Sequence, residues 1–286
     1  MTTPRPDISV NQLCLPRTTF AEDVRLAAEL GYTGISIDVA KLGSGPDSDA
    51  AALEAFQRSG LKAAVCCNGN WSMLPIPNFP APADARERIE DICAGALRLA
   101  PFQPDSFFVV LGQPGELTID EAWRTIDDGL QKIHDVVAET GATLSIEVMT
   151  REGGRLIDQP MVASIVETLE LLDRLGLDDV QIVADIWHLF DSPQFLDDLR
   201  RNAGRISALQ MCDYHRPRRW RDRLMPGRGS GHVREALAAL EEGGFTGWLD
   251  LEVFSDDLWK ESPREFMALG LSSINQCWDE RGTVAA

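Results

Sequence analysis

The sequence predicts a (β/α)8 barrel. Short runs of β-branched and apolar residues alternate with longer amphipathic runs along the 286-residue chain. Eight such pairs of about 35 residues each fit eight parallel strands, each followed by a covering helix. The alternative is a doubly wound open sheet, which is weakened because no glycine-rich phosphate loop follows the first strand-like run. We therefore expect a single TIM-barrel domain over residues 1–286.

The eight predicted strands are short and mostly apolar. They cover residues 8–15, 34–39, 61–67, 105–112, 142–149, 180–187, 205–212 and 248–254. Helical runs lie between them, and several end in glycine, which favours a left-handed C-cap. The clearest helical runs are residues 20–31, 83–100, 119–141 and 232–245. Thr118 and Ser262 are predicted N-caps of the helices that follow them.

The composition predicts an acidic cytoplasmic protein. A net charge of −18 and a pI near 4.6 disfavour nucleic acid and anionic lipid as partners. The sequence has no run of about 18 apolar residues, so we expect no membrane-spanning helix. The first residues lack the pattern of a secretory signal. The six cysteines form no CxxC pair, so reduced thiols are expected.

Two predicted loops are candidates for binding an anionic or polyol ligand. Residues 216–223 hold five arginines in eight residues, which indicates either a solvated loop or a loop over an anionic or polyol substrate. The segment PGRGSG, residues 226–231, precedes a predicted helix and is either a flexible turn or a group of backbone N–H donors for an anion. Its spacing does not match a Walker motif.

Acidic residues lie where three predicted strands end, at the face where barrel enzymes place their chemistry. Glu147, Asp185 and Glu252 each have apolar neighbours on both sides, so each is costly to bury unless it is paired or bound to metal. Three such acids together repel one another without a cation between them. The pattern therefore predicts a divalent metal site. His188, three residues after Asp185, is either a substrate or ligand contact at the loop mouth or a packing residue.

These motifs resemble the xylose isomerase-like TIM-barrel superfamily, close to its sugar phosphate isomerase/epimerase branch. The shared pattern is an acid on strand 5, Asp-x-x-His on strand 6, His or Gln then Asp on strand 7, a Pro-Gly-x-Gly loop, and Glu-Val-Phe on strand 8. The matching positions are Glu147, Asp185 with His188, Gln210 with Asp213, residues 226–229, and Glu252. The resemblance covers nearly the whole chain, and it is specific for the superfamily and the metal site rather than for the substrate.

The resemblance implies one divalent cation, manganese or magnesium with cobalt as a further option, held by Glu147, Asp185, Gln210 and Glu252. It implies an isomerase or epimerase of a small sugar or keto-polyol, working by proton transfer through a metal-bound enediolate. Glu147 and Glu252 are then the acid/base pair. His188 is the third implied catalytic residue, and His188 and Arg216 are the implied substrate contacts.

Two positions depart from the epimerase pattern. Gln210 stands where those enzymes have histidine, and Gly153 stands where a second glutamate is expected after Glu147, with Glu152 adjacent but not aligned. Some dehydratases of the superfamily carry glutamine at the first of these positions. A lyase reaction is therefore the alternative, with β-elimination from a keto-polyol, a dehydroshikimate-like acid or a 3-oxo-glycoside. The glutamine also makes the ligand set all oxygen, which favours magnesium or manganese over zinc.

The sequence favours neither of two other functions of such barrels, nucleic-acid cleavage and ligand binding without catalysis. Apurinic endonucleases of the superfamily use a histidine-rich set of three metals, which four histidines and an acidic chain disfavour. A degenerate barrel that binds a ligand or a partner subunit is a non-enzymatic alternative, and a homo-oligomer is compatible with the sequence. Aromatic residues near strand ends suggest a weak preference for an apolar substrate group, and Trp71 and Trp187 are predicted substrate contacts. The residues concerned are Trp71, Trp187, Trp220 and Phe254.

Overall fold

A computed structural model of the chain defines residues 5–77, 79–149, 159–190, 192–217, 219 and 221–283. Its strands are short and lie at the eight predicted places, so the predicted strand order is confirmed. They are β1 Ile8–Asn11, β2 Gly34–Ser36, β3 Lys62–Ala63, β4 Val65–Cys66, β5 Ser106–Val109, β6 Thr143–Glu147, β7 Gln181–Asp185, β8 Ile206–Met211 and β9 Trp248–Leu251.

The strands form one parallel sheet that closes into a barrel. Their order is β3-β2-β1-β9-β8-β7-β6-β5-β4. Only Ala64 separates β3 from β4. Its N–H donates to Ile35 O at 2.9 Å and its carbonyl accepts from Ser106 N at 3.1 Å, which joins the two edges. The strands β3 and β4 are thus two parts of the third barrel strand, and the predicted (β/α)8 barrel is confirmed.

Helices cover the outside of this ring. The four helical runs singled out in the sequence are confirmed to within three residues at each end. The helices are α1 Phe20–Leu30, α2 Pro46–Ser59, α3 Ala85–Leu99, α4 Ile119–Thr140, α5 Ile165–Leu175, α6 Ile186–Leu189, α7 Phe195–Asn202, α8 Val233–Glu242 and α9 Pro263–Glu280. None of the helices among these residues has both the length and the apolar content needed to cross a membrane.

The predicted N-caps of α4 and α9 are also confirmed. Thr118 and Ser262 each accept the backbone N–H three residues on, from Glu121 and Glu265, whose carboxylates return the bond to the cap. This reciprocal arrangement satisfies two N–H groups that a helix otherwise leaves without partners. It fixes where each of the two helices begins.

The apolar core of the described residues has three clusters. The largest lies between the strands and the helices, a smaller one fills the barrel interior, and a third comprises Ile76, Val110 and Met149. Trp248 closes the interior near the amino ends of the strands, where its ring lies against Gly34. The interior cluster comprises Ala64, Val65, Cys67, Phe108, Val183, Ala208 and Trp248. Polar side chains line the interior near the carboxyl ends of the strands, where the candidate site lies.

Candidate functional site

Three buried acids meet at the carboxyl ends of the strands. Glu147 and Asp185 are the last residues of β6 and β7, and Glu252 directly follows β9. Their exposed fractions are 7%, 0% and 3%. Because parallel strands all end at the same rim, the fold brings these acids together although up to 105 residues separate them in the sequence.

His188 joins two of the acids. Helix α6 begins directly after β7, and Asp185 caps it by accepting Trp187 N–H on Oδ1 at 2.8 Å. The turn of helix brings His188 Nε2 to 3.5 Å from Asp185 Oδ2 and 3.7 Å from Glu147 Oε1. Ligand atoms of Glu147, Asp185 and His188 all lie within 4.8 Å of one another, a spacing that suits one metal ion.

Gln210 lies beside these residues on β8, in register with Asp185 of β7 and Asp250 of β9. Its Nε2 donates to Glu252 Oε1 at 3.1 Å. Its Oε1 is buried and has no hydrogen-bond partner among the residues that the structure defines. A buried acceptor without a donor is costly, and a cation would satisfy it. This donor set of carboxylate, amide and imidazole groups therefore fits a divalent cation.

Arg223 enters the same group of residues, which the sequence did not reveal. Its Nη1 donates to Asp185 Oδ2 at 3.0 Å and to Glu252 Oε2 at 2.8 Å, and the side chain is 1% exposed. The neighbouring residues Arg219 and Arg221 are exposed. The described arginines of this loop thus provide both a solvated surface and, through Arg223, a cation inside the site. The signal in the sequence is that Arg223 directly precedes the apolar pair Leu224 and Met225.

Asp250 is a second residue that the sequence analysis missed. It lies on β9 two residues before Glu252, and the twofold period of a strand places both side chains on the inner face. Ser9 and Ser36 donate to its Oδ1 at 2.6 and 2.7 Å, and Asn11 donates to its Oδ2 at 3.0 Å. Burial raises the pKa of Asp250 to about 6 despite these donors. Asp250 and its three hydrogen-bond donors therefore form a polar network beneath the three acids.

The protonation of Glu147 and Glu252 is strongly perturbed. Burial raises the pKa of Glu252 to about 8, with Arg223 opposing the rise and Asp185 adding to it. Burial, then the charges of Glu252 and Asp185, raise the pKa of Glu147 well above its usual range. Carboxyl groups that titrate near neutral pH are suited to acid/base chemistry. In the protein without a cation, the protonation equilibrium of each group is therefore shifted toward the protonated form.

A cavity of about 340 Å³ opens above these groups. Glu147, His188, Arg223 and Glu252 form its polar base, and apolar side chains form much of its wall. Trp71 and Phe79 meet edge to face there, with 5.4 Å between ring centroids. The other lining residues are Leu13, Asp38, Ala40, Gly69, Met149 and Phe254.

Buried Arg88 of α3 holds the segment that carries Trp71 and Phe79. Its guanidinium donates to Ser72 O at 2.7 Å, to Ser72 Oγ at 2.5 Å, to Pro82 O at 2.9 Å and to Phe79 O at 3.3 Å. The side chain is 1% exposed. Because the acceptors are mainly backbone carbonyls, this arginine fixes the course of the chain at the cavity wall rather than neutralising an acid.

The predicted substrate contacts lie in different surroundings. Trp71 lines the cavity, whereas Trp187 is fully buried beneath Arg223, with 5.1 Å between the guanidinium carbon and the ring centroid. Arg216 is exposed, with its guanidinium 5.5 Å from the Phe190 ring centroid. Substrate contact at these positions stays a prediction. Trp220, Glu152 and Gly153 lie outside the described residues.

Asp213 and Cys212 make contacts that are typical of structural residues. Asp213 accepts the backbone N–H groups of Gly229 and Gly231 at 2.8 and 2.7 Å, so these N–H groups of PGRGSG bind an internal carboxylate. A side chain at Gly229 would collide with Asp213 and with the backbone oxygen of Tyr214. Burial raises the pKa of the Cys212 thiol well above its usual value, which disfavours the thiolate that would bind a metal.

Comparisons with known proteins agree with the barrel fold. A family model described as a xylose isomerase-like TIM barrel matches residues 24–271. A protein from Sinorhizobium meliloti 1021 superposes with a TM-score of 0.80 at 24% identity, covering 94% of this chain and 98% of that one. No curated protein matches the chain.

Two further solved structures that resemble this chain are of proteins with a bound zinc atom or a known reaction. The IolI protein with a bound zinc atom has a TM-score of 0.79 at 18% identity, covering 96% of this chain and 99% of that one. The 3-keto-D-glucoside 4-epimerase of E. coli has a TM-score of 0.74 at 18% identity, covering 96% of this chain and 100% of that one. At these identities the likeness shows the fold.

Proposed function

The chain belongs to the xylose isomerase-like TIM-barrel family, and on that premise we propose that it is a divalent-metal-dependent isomerase or epimerase of a small sugar or keto-polyol. The observation that carries the proposal is the meeting of three buried acids with Gln210 and His188 at the strand ends. Zinc in IolI and the keto-glucoside substrate of the E. coli epimerase support this assignment by analogy.

The proposed metal ligands are Glu147, Asp185, Gln210 and Glu252, with His188 close enough to Glu147 and Asp185 to serve as a further donor. When bound, the cation supplies Lewis-acid polarisation of a substrate carbonyl, which acidifies the neighbouring C–H. The oxygen-rich donor set favours manganese or magnesium. The buried Oε1 of Gln210 supports its place in the set.

Glu147 and Glu252 are the proposed acid/base pair. The strands β7 and β8 lie between β6 and β9, so the two glutamates reach the cavity from different sides of the barrel rim. One carboxylate removes the proton next to the substrate carbonyl, and the other carboxyl group returns a proton to the opposite face or to the adjacent carbon. Their raised pKa values support this exchange: Glu252, with a pKa of about 8, holds a proton near neutral pH, and burial shifts the pKa of Glu147 in the same direction.

His188 is the proposed hydrogen-bonding partner of a substrate oxygen. It lines the cavity, and its Nε2 lies between Glu147 and Asp185. A fixed imidazole at this place would orient the substrate with its reacting carbon toward the carboxyl groups. The remaining cavity, lined by Trp71 and Phe79, has room for the rest of the substrate.

The test begins with chelator-treated protein that is reloaded with Mn²⁺ and mixed with ketohexoses and 3-keto-glucosides in deuterium oxide. We expect proton NMR to show solvent deuterium next to the carbonyl together with a new carbonyl isomer. Glu147→Gln and Glu252→Gln should abolish both signals, whereas the exposed Glu139→Gln should retain them. Full turnover without any divalent cation would overturn the proposal.

Gln210 supports β-elimination as a second candidate, because glutamine at this ligand resembles the dehydratases of the superfamily. The first step is the same removal of a proton next to a carbonyl, after which a group leaves from the β carbon. The same incubations separate the two reactions. An isomer has the mass of its substrate apart from deuterium, whereas a lyase product has lost water or an aglycone.

A further inference from the structure

Arg223 places a permanent positive charge among the acids proposed to bind the metal. A single nitrogen, Nη1, donates to Asp185 Oδ2 at 3.0 Å, to Glu252 Oε2 at 2.8 Å and to the backbone oxygen of Glu252 at 3.3 Å. Both acids are proposed metal ligands. The guanidinium therefore binds oxygen atoms of the groups that a divalent cation would need.

The position of this arginine is fixed from several sides. The guanidinium carbon lies 5.1 Å from the Trp187 ring centroid and 4.8 Å from that of Phe254. The backbone N–H of Arg223 donates to Phe254 O at 3.0 Å. The next residue, Leu224, exchanges two backbone hydrogen bonds with Asp213, each 2.8 Å long. Arg223 is thus built into the barrel rim and does not resemble the exposed Arg221, which pairs with Asp256.

The charges explain what this position does. When a cation replaces the protons of Glu147 and Glu252, these two acids and Asp185 carry three negative charges, and Arg223 offsets one of them. Two remain, which one divalent cation would balance. A buried cation attracts the ionised acids but repels a second cation close by, and both effects are strong where water is excluded.

We propose that Arg223 is a built-in counter-cation of the acidic site: it holds Asp185 and Glu252 in place without metal, and it weakens the binding of a divalent cation there. The inference rests on the proposed metal site, and it adds a residue outside the ligand set that controls metal affinity. It makes the bound ion exchangeable, because the acids retain a partner when the ion leaves.

The test uses the full chain freed of metal with a chelator that is then removed. Arg223→Met keeps much of the side-chain length and removes the charge. Arg223→Lys keeps the charge, and Arg221→Met is the matched control two residues away on the exposed side of the loop. Calorimetric titration with Mn²⁺ measures affinity, and thermal melting without metal measures the support that Arg223 gives to the acids.

We expect Arg223→Met to bind Mn²⁺ at least tenfold more tightly than the wild type and to melt at a lower temperature without metal. Arg221→Met should bind within about threefold of the wild type, because substitutions on the exposed surface have small effects. Arg223→Lys keeps the charge and should therefore bind Mn²⁺ less tightly than Arg223→Met does. Equal or weaker binding by Arg223→Met overturns the inference. If that variant does not fold, Arg223→Gln tests the same loss of charge while retaining a donor, with the same expected direction.

The outcomes separate this inference from the proposed function. Equal binding by the wild type and Arg223→Met removes the role of Arg223 and leaves the metal-dependent function standing. Binding by Arg223→Met alone supports the counter-cation and contradicts a metal-dependent wild type. If neither the wild type nor Arg223→Met binds Mn²⁺, the proposed role of Arg223 is overturned together with the metal-dependent function. Removal of the arginine charge would then not have produced a metal-binding site.

Discussion

Gln210 and Glu252 orient each other: the amide Nε2 donates to the carboxylate Oε1 at 3.1 Å across neighbouring strand ends. Because the amide nitrogen of Gln210 donates to Glu252, the amide oxygen is the atom that could bind a cation. That oxygen has no hydrogen-bond partner within the described part of the chain. The pair therefore sets both the direction and the chemical character of the proposed metal site.

Replacing this amide by imidazole should change the metal preference. We expect Gln210→His to raise the affinity for zinc relative to manganese by about tenfold, because imidazole suits zinc better than an amide oxygen does. Competitive titration of the two metals measures the ratio. Gln210→Ala is the control, since it should weaken both metals. An unchanged ratio in Gln210→His would place Gln210 outside the ligand set.

The protein without metal should lose stability as pH rises. The pKa of Glu252 is about 8 when folded and near its usual 4.5 when unfolded, so between these values the folded state holds a proton that the unfolded chain has released. The free energy of unfolding therefore falls as pH rises through this window and levels off above it. Stabilisation by Mn²⁺ should follow the opposite trend, because the ion replaces the proton.

Chemical denaturation at several pH values, with chelator and with Mn²⁺, measures both trends. Glu252→Gln cannot titrate, so its metal-free stability should depend less on pH than that of the wild type. An identical dependence in the two proteins would show that Glu252 is not the group responsible.

Asp250 should contribute to stability rather than to metal binding. It accepts three side-chain hydrogen bonds, two of them from Ser9 and Ser36. Asp250→Asn puts an N–H₂ group against these donors, and we expect it to lower the free energy of unfolding by about 1–3 kcal/mol. Ser36→Ala removes one donor and should cost about 1 kcal/mol. Urea denaturation compares them, and a cost for Asp250→Asn no greater than for Ser36→Ala contradicts the network.

Arg88 should control the cavity wall. Arg88→Met leaves the carbonyls of Ser72, Phe79 and Pro82 without their arginine donor, and we expect it to cost about 2–4 kcal/mol and to loosen the Trp71 segment. Tryptophan fluorescence should then become more accessible to acrylamide. Arg86→Met, on the exposed side of α3, should stay within about 0.5 kcal/mol of the wild type. Equal effects of the two variants would contradict this assignment.

The fold was predictable because its signals are local. Alternating apolar runs located all eight barrel strands, and the strand-end rule then brought Glu147, Asp185 and Glu252 to one rim. Asp250 was within reach of the same reasoning, since it shares the inner face of β9 with Glu252. Applying the twofold period to both residues would have placed two acids in the barrel rather than one.

Arg223 was less accessible, because its place depends on contacts distant in sequence. Five arginines lie within residues 216–223, and the inward direction of Arg223 is decided by the pairing of Leu224 with Asp213 and by the bond from Arg223 to Phe254. Trp187 shows the same limit. The sequence placed it near the strand end, but one turn of α6 directs it behind Arg223 and leaves His188 toward the cavity.

The acids and Arg223 come from different parts of the fold, and this has a consequence for engineering. The barrel strands provide the acids, whereas Arg223 comes from a loop whose exchange need not disturb the sheet. A graft of residues 216–223 from another barrel could therefore change the site's charge by one unit while the acidic frame stays intact. Such loop chimeras would turn one scaffold into a series of proteins graded in how firmly they retain an ion.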